Sequence, residues 1–175
     1  MSTPINPQID IAQLPFFQQI LLLTDGTLTQ LLEIYAQESI QVVKLFEQII
    51  SVEADIESLN IRQGHKVLDR KILLQGQVSR KNWLYAESFI VLSRLDPMFQ
   101  DKLITSQVPI GKLWLEHKTE AFKEILASWC ETASNFAPYF DLESSDLLLS
   151  RSYRVLSNRE PVMLITEKFP VLYFR

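Results

Sequence analysis

One cysteine, two histidines and four glycines among 175 residues exclude much chemistry before any motif is sought. A lone thiol, Cys130, cannot close an internal disulfide and suits a reducing compartment. Beside Trp129 in an apolar stretch, it reads as packing rather than as a nucleophile. His65 and His117 stand far apart in polar surroundings, and with one cysteine they give no metal-ligand spacing. Glycines at 26, 64, 76 and 111 cannot spell a GxGxxG or GxxxxGK loop, so nucleotide-phosphate cradles are excluded. No GxSxG elbow is present either. The apolar stretch at 20–23 is far too short to cross a bilayer, and the N-terminus carries no basic leader region. Basic residues are outnumbered by acidic ones, 17 to 21. A net charge of −4 and a pI near 5.2, with no run of like charges, give no nucleic-acid footprint. These absences lead us to expect a cytoplasmic monomer with no cofactor, no metal, no membrane contact and no nucleic-acid partner.

What is present is ordinary globular material, 47% hydrophobic and 22% charged, enough for one domain with a real core. We expect a single domain over 1–175, with 1–14 a loose arm. Pro15 can open a short helix that Asp25 and Gly26 stop, and Thr27 can cap a second helix to about Ala36, with Gln30 at capping-box spacing. From residue 40 the texture is that of strands, at 40–52, 67–75, 82–95, 147–156 and 162–170, rich in Val, Ile, Leu and aromatics. Short loops at 76–81 and 157–160 imply antiparallel hairpins. Asp96 and Pro97 start a helix with an N-cap and a proline at its first position. Phe122, Ile125, Leu126 and Trp129 follow helical spacing, although the same stretch also reads as a strand. The natural assembly is α+β, with helices packed on one side of an antiparallel sheet.

Four charges fall on faces that strand alternation assigns to apolar residues. Arg70 shares a face with Leu68, Ile72 and Leu74, and Glu167 with Met163, Ile165 and Phe169. Glu87 falls with Trp83, Tyr85 and Phe89, and Arg151 with Leu149, Tyr153 and Val155. A buried charge must be paired or meet a ligand. Arg70 is suited to grip a carboxylate bidentately, or else to pair with a neighbouring-strand carboxylate such as Glu87 or Glu167. Glu167 can serve as an acid or base, or be the other half of an ion pair. Glu87 and Arg151 read as supporting groups. Pro109, Ile110, Gly111 and Lys112 form a turn that could also present backbone N–H groups to an anion.

The order of these motifs resembles the chorismate lyase family over almost the whole chain. The resemblance rests on LLLTDGTLTQLLE at 21–33, LDRKILL at 68–74, WLYAES at 83–88, PIGKLW at 109–114 and MLITEKFP at 163–170. It implies a six-stranded antiparallel sheet with helical flaps over an enclosed site, and conversion of chorismate to 4-hydroxybenzoate and pyruvate. It also implies that Arg70 binds the ring carboxylate with help from the Ile110 N–H. Glu167 would meet the ring hydroxyl, with a backbone group at Leu28 contacting the same end. Leu28 replaces a methionine of better-known bacterial enzymes, which a backbone role tolerates. The last hairpin, Ser157, Asn158, Arg159 and Glu160, departs from the family's usual glycine turn. The family treats the Phe122 region as a strand, and that assignment is adopted here. Aromatisation drives the elimination, so no redox cofactor or metal is expected. The enolpyruvyl carboxylate needs a second cation, for which Arg151 is the choice, and quinone head-group synthesis is the use the resemblance suggests. The competing classes are a non-catalytic aromatic-carboxylate-binding domain, since effector domains of some transcription regulators share the fold, and a structural protein with a buried Arg70–Glu167 pair.

Overall fold

A computed structural model describes residues 9–118 and 120–175. Two helices, α1 (Phe16–Leu23) and α2 (Leu28–Ala36), precede a meander of β1 (Ile40–Ser51), β2 (Lys66–Gly76) and β3 (Asn82–Ile90). Two more, α3 (Pro97–Thr105) and α4 (Ile110–Glu116), precede a second meander of β4 (Phe122–Thr132), β5 (Leu147–Ser157) and β6 (Glu160–Pro170). The meanders join through β3 and β6 into one antiparallel sheet in the order β1-β2-β3-β6-β5-β4. Each half is therefore two helices followed by three strands, an architectural repeat that the letters of the sequence do not display. Arg70 and Arg151 occupy the middle strands of the two halves.

All four helices cover the same face of the sheet. Leu21, Leu22, Leu28 and Leu32 pack on Val42, Leu74, Leu84 and Phe169. Phe99, Leu103 and Leu113 pack on Leu68, Tyr153, Val155 and Ile165. Burying each such side chain contributes about 1.5–3 kcal/mol, so the flaps are held by their apolar stripes rather than by their few capping bonds. The opposite face is covered by the 3-10 stretch Ser134–Phe140, whose Ala137 and Phe140 meet Leu73, Tyr85 and Leu148.

Several local expectations need correction. The capping box at Thr27 does not form, because the Thr27 side chain makes no cap bond and lies against Gly111 instead. The turn expected at Pro109 is the opening of α4, with Pro109 as its N-cap. Of the expected loose arm, Met1 to Gln8 lie outside the described residues. Ile9, Ile11 and Leu14 pack against the core, and Asp10 accepts from the Ala12 N–H at 3.2 Å, so this part is not loose. Strand 82–95 ends at Ile90, where a 3-10 turn at Leu92–Arg94 leads to α3. Asp96 does cap α3, accepting from Met98 N–H at 2.9 Å. The Phe122 segment is a strand, paired with β5 along its length. Its helical spacing reflects a register shift between Ile125 and Ala127, which breaks simple alternation.

The β5–β6 hairpin closes through Asn158 and Arg159, with φ of 51° and 66°. Both lie in the left-handed region that a tight hairpin demands, and an arginine there costs about 1 kcal/mol that glycine avoids. Arg159→Gly should therefore raise the denaturation midpoint by about 2–4 °C. A calorimetric scan checks this, and a lowered midpoint would show that the arginine side chain makes up the backbone cost.

Candidate active site

A cavity of about 230 Å³ lies between the two apolar clusters, under the flaps. Its floor is the inner face of β2, β3, β6 and β5, where Ile72, Leu84, Ala86 and Ile165 give it an apolar lining. Its roof includes the opening residues of α2 and α4, Leu28 and Ile110. Such a volume suits one small ring compound rather than a nucleotide or a drug-sized ligand.

Arg70 forms one end. It is 1% exposed, and burial lowers its pKa while the nearby Glu47 carboxylate opposes the shift. A guanidinium so placed remains charged at physiological pH. Glu47 Oε2 stands 3.2 Å from Nε, close enough for an ion pair. It does not align as a hydrogen-bond acceptor. Among the described residues, none of the three guanidinium nitrogens has a hydrogen-bond partner. The expected neighbouring-strand partner of Arg70 was Glu87 or Glu167. The pair is formed by Glu47 instead, which β1 sets directly opposite Arg70.

Glu167 forms the other end, held by two donors, while Arg151 Nη2 is buried with no hydrogen-bond partner among the described residues. Arg151 Nε donates to Oε2 at 2.7 Å, and the Tyr153 hydroxyl donates to Oε1 at 2.8 Å. Arg151 is 0% exposed, and its Nη1 donates at 2.9 Å to the Thr24 carbonyl beyond the end of α1. Burial works against the Arg151 charge, but Glu167 and Tyr153 more than restore it and hold its pKa above the usual arginine range. Burial and the adjacent carboxylate push the Tyr153 hydroxyl well above an ordinary phenol, so it stays a donor. Glu167 keeps lone pairs beyond the two already used, and it lines the cavity.

Arg70 and Glu167 lie two strands apart, with β3 between them, and are offset by two residues along β3. With strands about 4.8 Å apart and a rise of about 3.3 Å per residue, their Cα atoms are separated by roughly 12 Å. Two long side chains reaching inward from that spacing leave room for one ring between them. They are not partners of each other.

Of the other candidate residues, Leu28 and Ile110 are in the cavity wall. Glu87 is not. Its strand presents Leu84, Ala86 and Ser88 to the cavity, so Glu87 falls on the opposite face, where it accepts from Tyr85 Oη at 3.2 Å. Parity shows which residues share a face but not which face is inward, and both faces of β3 are covered. Arg151 is not a wall residue and meets the site through its bond to Glu167. Two residues escaped the sequence reading. Tyr153 was visible as a same-face neighbour of Arg151, but nothing marked its hydroxyl as a partner for Glu167. Lys123, in the wall on β4, was hidden by the ambiguity of its segment; it sits opposite Val155, a wall residue, in the strand pairing.

The flaps are tied to each other and to the site. Lys112 on α4 bridges to Glu33 on α2 at 2.6 Å. Burial raises the Glu33 pKa, but the bonds from Lys112 and the Ile40 N–H outweigh that and lower it. A Cβ on Gly111 would come 2.9 Å from the Thr27 methyl, so α4 can approach α2 only with glycine there. Among the described residues no group of three His, Cys, Asp or Glu could hold a metal ion. None of the described helices is long and apolar enough to cross a membrane.

The chorismate pyruvate-lyase Rv2949c-like family model matches residues 22–175. The chain belongs to this family. It is therefore a lyase by descent. The chorismate pyruvate-lyase of Mycobacterium leprae is 32% identical over 152 residues, covering 86% of this chain and 72% of that protein. That of Mycobacterium tuberculosis is 30% identical over 161 residues, covering 90% and 81%. Among solved structures, PhnF of Mycobacterium smegmatis superposes with a TM-score of 0.66 at 10% identity, covering 87% of this chain and 67% of that one. The C-terminal domain of a histidine utilization repressor from Pseudomonas syringae gives 0.58 at 15%, covering 78% and 94%. At such identities these likenesses show the fold alone. A lyase family and regulator domains thus share one architecture, and only the cavity's side chains can separate catalysis from binding.

Proposed function

We propose that this chain eliminates pyruvate from chorismate to give 4-hydroxybenzoate. The observation that carries the reading is Arg70, a buried guanidinium on the cavity wall whose nitrogens find no hydrogen-bond acceptor among the described residues, facing an oriented carboxylate across a one-ring space. Arg70 grips the ring carboxylate and fixes the ring, with the Ile110 N–H beside it, and Leu28 closes the hydroxyl end. Holding the ring in one pose supplies the proximity part of the rate. Glu167 accepts the hydrogen bond of the ring hydroxyl and takes the C4 proton. The C4–H electron pair becomes part of the ring, the C3–O bond breaks, and enolpyruvate leaves with that bonding pair. It then takes up a proton and becomes pyruvate. Arg151 and Tyr153 act on Glu167, holding it in one rotamer.

The test is direct. Purified protein is mixed with chorismate while 4-hydroxybenzoate is followed by absorbance and pyruvate by a coupled reaction. Equal formation of both above the spontaneous rate is expected. Thermal stabilisation by 4-hydroxybenzoate without turnover would instead identify a binding domain of the same fold. The onward use suggested by the resemblance, a quinone head group, is read separately by tracing labelled 4-hydroxybenzoate into cellular quinones.

A further inference from the structure

Chorismate carries two carboxylates, and Arg70 accounts for one. The second belongs to the enolpyruvyl group on C3, next to the hydroxyl-bearing C4. Its receiving cation must therefore stand near Glu167, on the side away from Arg70. Arg151 has the right neighbourhood, but its Nε and Nη1 are committed to Glu167 and to the Thr24 carbonyl, and the residue, its unpartnered Nη2 included, does not line the cavity. Among the described residues, Arg70 and Lys123 are the two cations in the cavity wall.

Lys123 projects from β4, beyond β6 and β5 when the sheet is read from Arg70. Its Nζ lies 5.0 Å from the centre of the Tyr153 ring, the residue that donates to Glu167. The same Nζ donates to the Gly26 carbonyl at 2.9 Å, which leaves an ammonium two further donors. Burial and the Arg151 charge lower its pKa, while Glu167 and Asp25 pull the other way and favour the ammonium. The wall thus runs from cation through carboxylate to cation, matching a ring carboxylate, a ring hydroxyl and a side-chain carboxylate in sequence.

We propose that Lys123 Nζ receives the enolpyruvyl carboxylate of chorismate and so positions the leaving group, a role no other wall cation can fill. This rests on the chorismate-lyase reading above. It makes Lys123 the residue that distinguishes substrate from product, because 4-hydroxybenzoate has no second carboxylate. A flap tether alone, through Gly26, would treat both ligands alike.

Lys123→Met removes the charge and keeps most of the stem in a half-buried strand position. It should lower kcat/KM for chorismate by about 10- to 100-fold, chiefly through KM, as expected for one charge-assisted hydrogen bond. Affinity for 4-hydroxybenzoate should change by less than about threefold, and Lys123→Arg should recover most of the loss. Equal weakening of substrate and product would overturn the proposal in favour of a tether, and an unchanged KM would overturn it outright. Wild-type protein is assayed first. If it turns over no chorismate, the lyase reading fails and takes this proposal with it, whereas an active wild type with an indifferent Lys123→Met variant removes only the proposal.

Discussion

Arg70→Ala should lower kcat/KM for chorismate by about 10²- to 10⁴-fold, because a buried charge pair loses 2–5 kcal/mol or more when one partner is cut. The loss should fall on substrate and on 4-hydroxybenzoate together, since both carry the ring carboxylate. The fold should survive. Glu47 keeps its bridge to Lys44 at 3.2 Å, and removing a guanidinium that lacks hydrogen-bond partners removes its desolvation cost. A thermal midpoint close to wild type, measured beside product binding by titration calorimetry, checks both halves. Turnover within tenfold of wild type would mean that Arg70 does not hold the substrate.

Glu167→Gln should behave differently, losing activity and stability at once. Without the carboxylate charge, Arg151 stays fully buried with neutral acceptors alone, the Thr24 carbonyl and the new amide oxygen, and no counter-charge. Stranding a buried charge costs about 3–5 kcal/mol, which in a chain of this length lowers the denaturation midpoint by about 10 °C. Loss of a general base lowers kcat by about 10²- to 10⁴-fold. The double variant Glu167→Gln with Arg151→Met separates the two effects, because it should regain much of the midpoint and none of the turnover. Full turnover in Glu167→Gln would remove the proton-transfer role and leave Glu167 as an orienting group.

The contrast between these variants reflects what a sequence can and cannot display. Strand alternation placed Arg70, Arg151 and Glu167 correctly, because each of β2, β5 and β6 turns a run of apolar side chains to the flaps with one charge among them. Alternation misplaced Glu87, because both faces of β3 are covered and burial does not mark the inward one. Pairing was beyond its reach. Glu47 meets Arg70 across a strand contact whose register is shifted by one residue between Lys44 and Phe46, and no pattern in β1 announces that shift. Lys123 lay in the one segment where helical spacing and strand identity compete. The hairpin without glycine was legible as an anomaly, and it is closed by two residues held in the left-handed region.

Gly111 carries an implication for anyone seeking a faster catalyst. Where two flaps meet over a snug product, the methyl group that glycine lacks is a ready-made wedge, since alanine there must push Thr27 aside. The wedge would trade a tighter seal against water for quicker escape of the phenol. Position 111 lies in the cavity wall beside Ile110, so a methyl group there would bear at once on the seal between the flaps and on the helix opening that carries the Ile110 N–H.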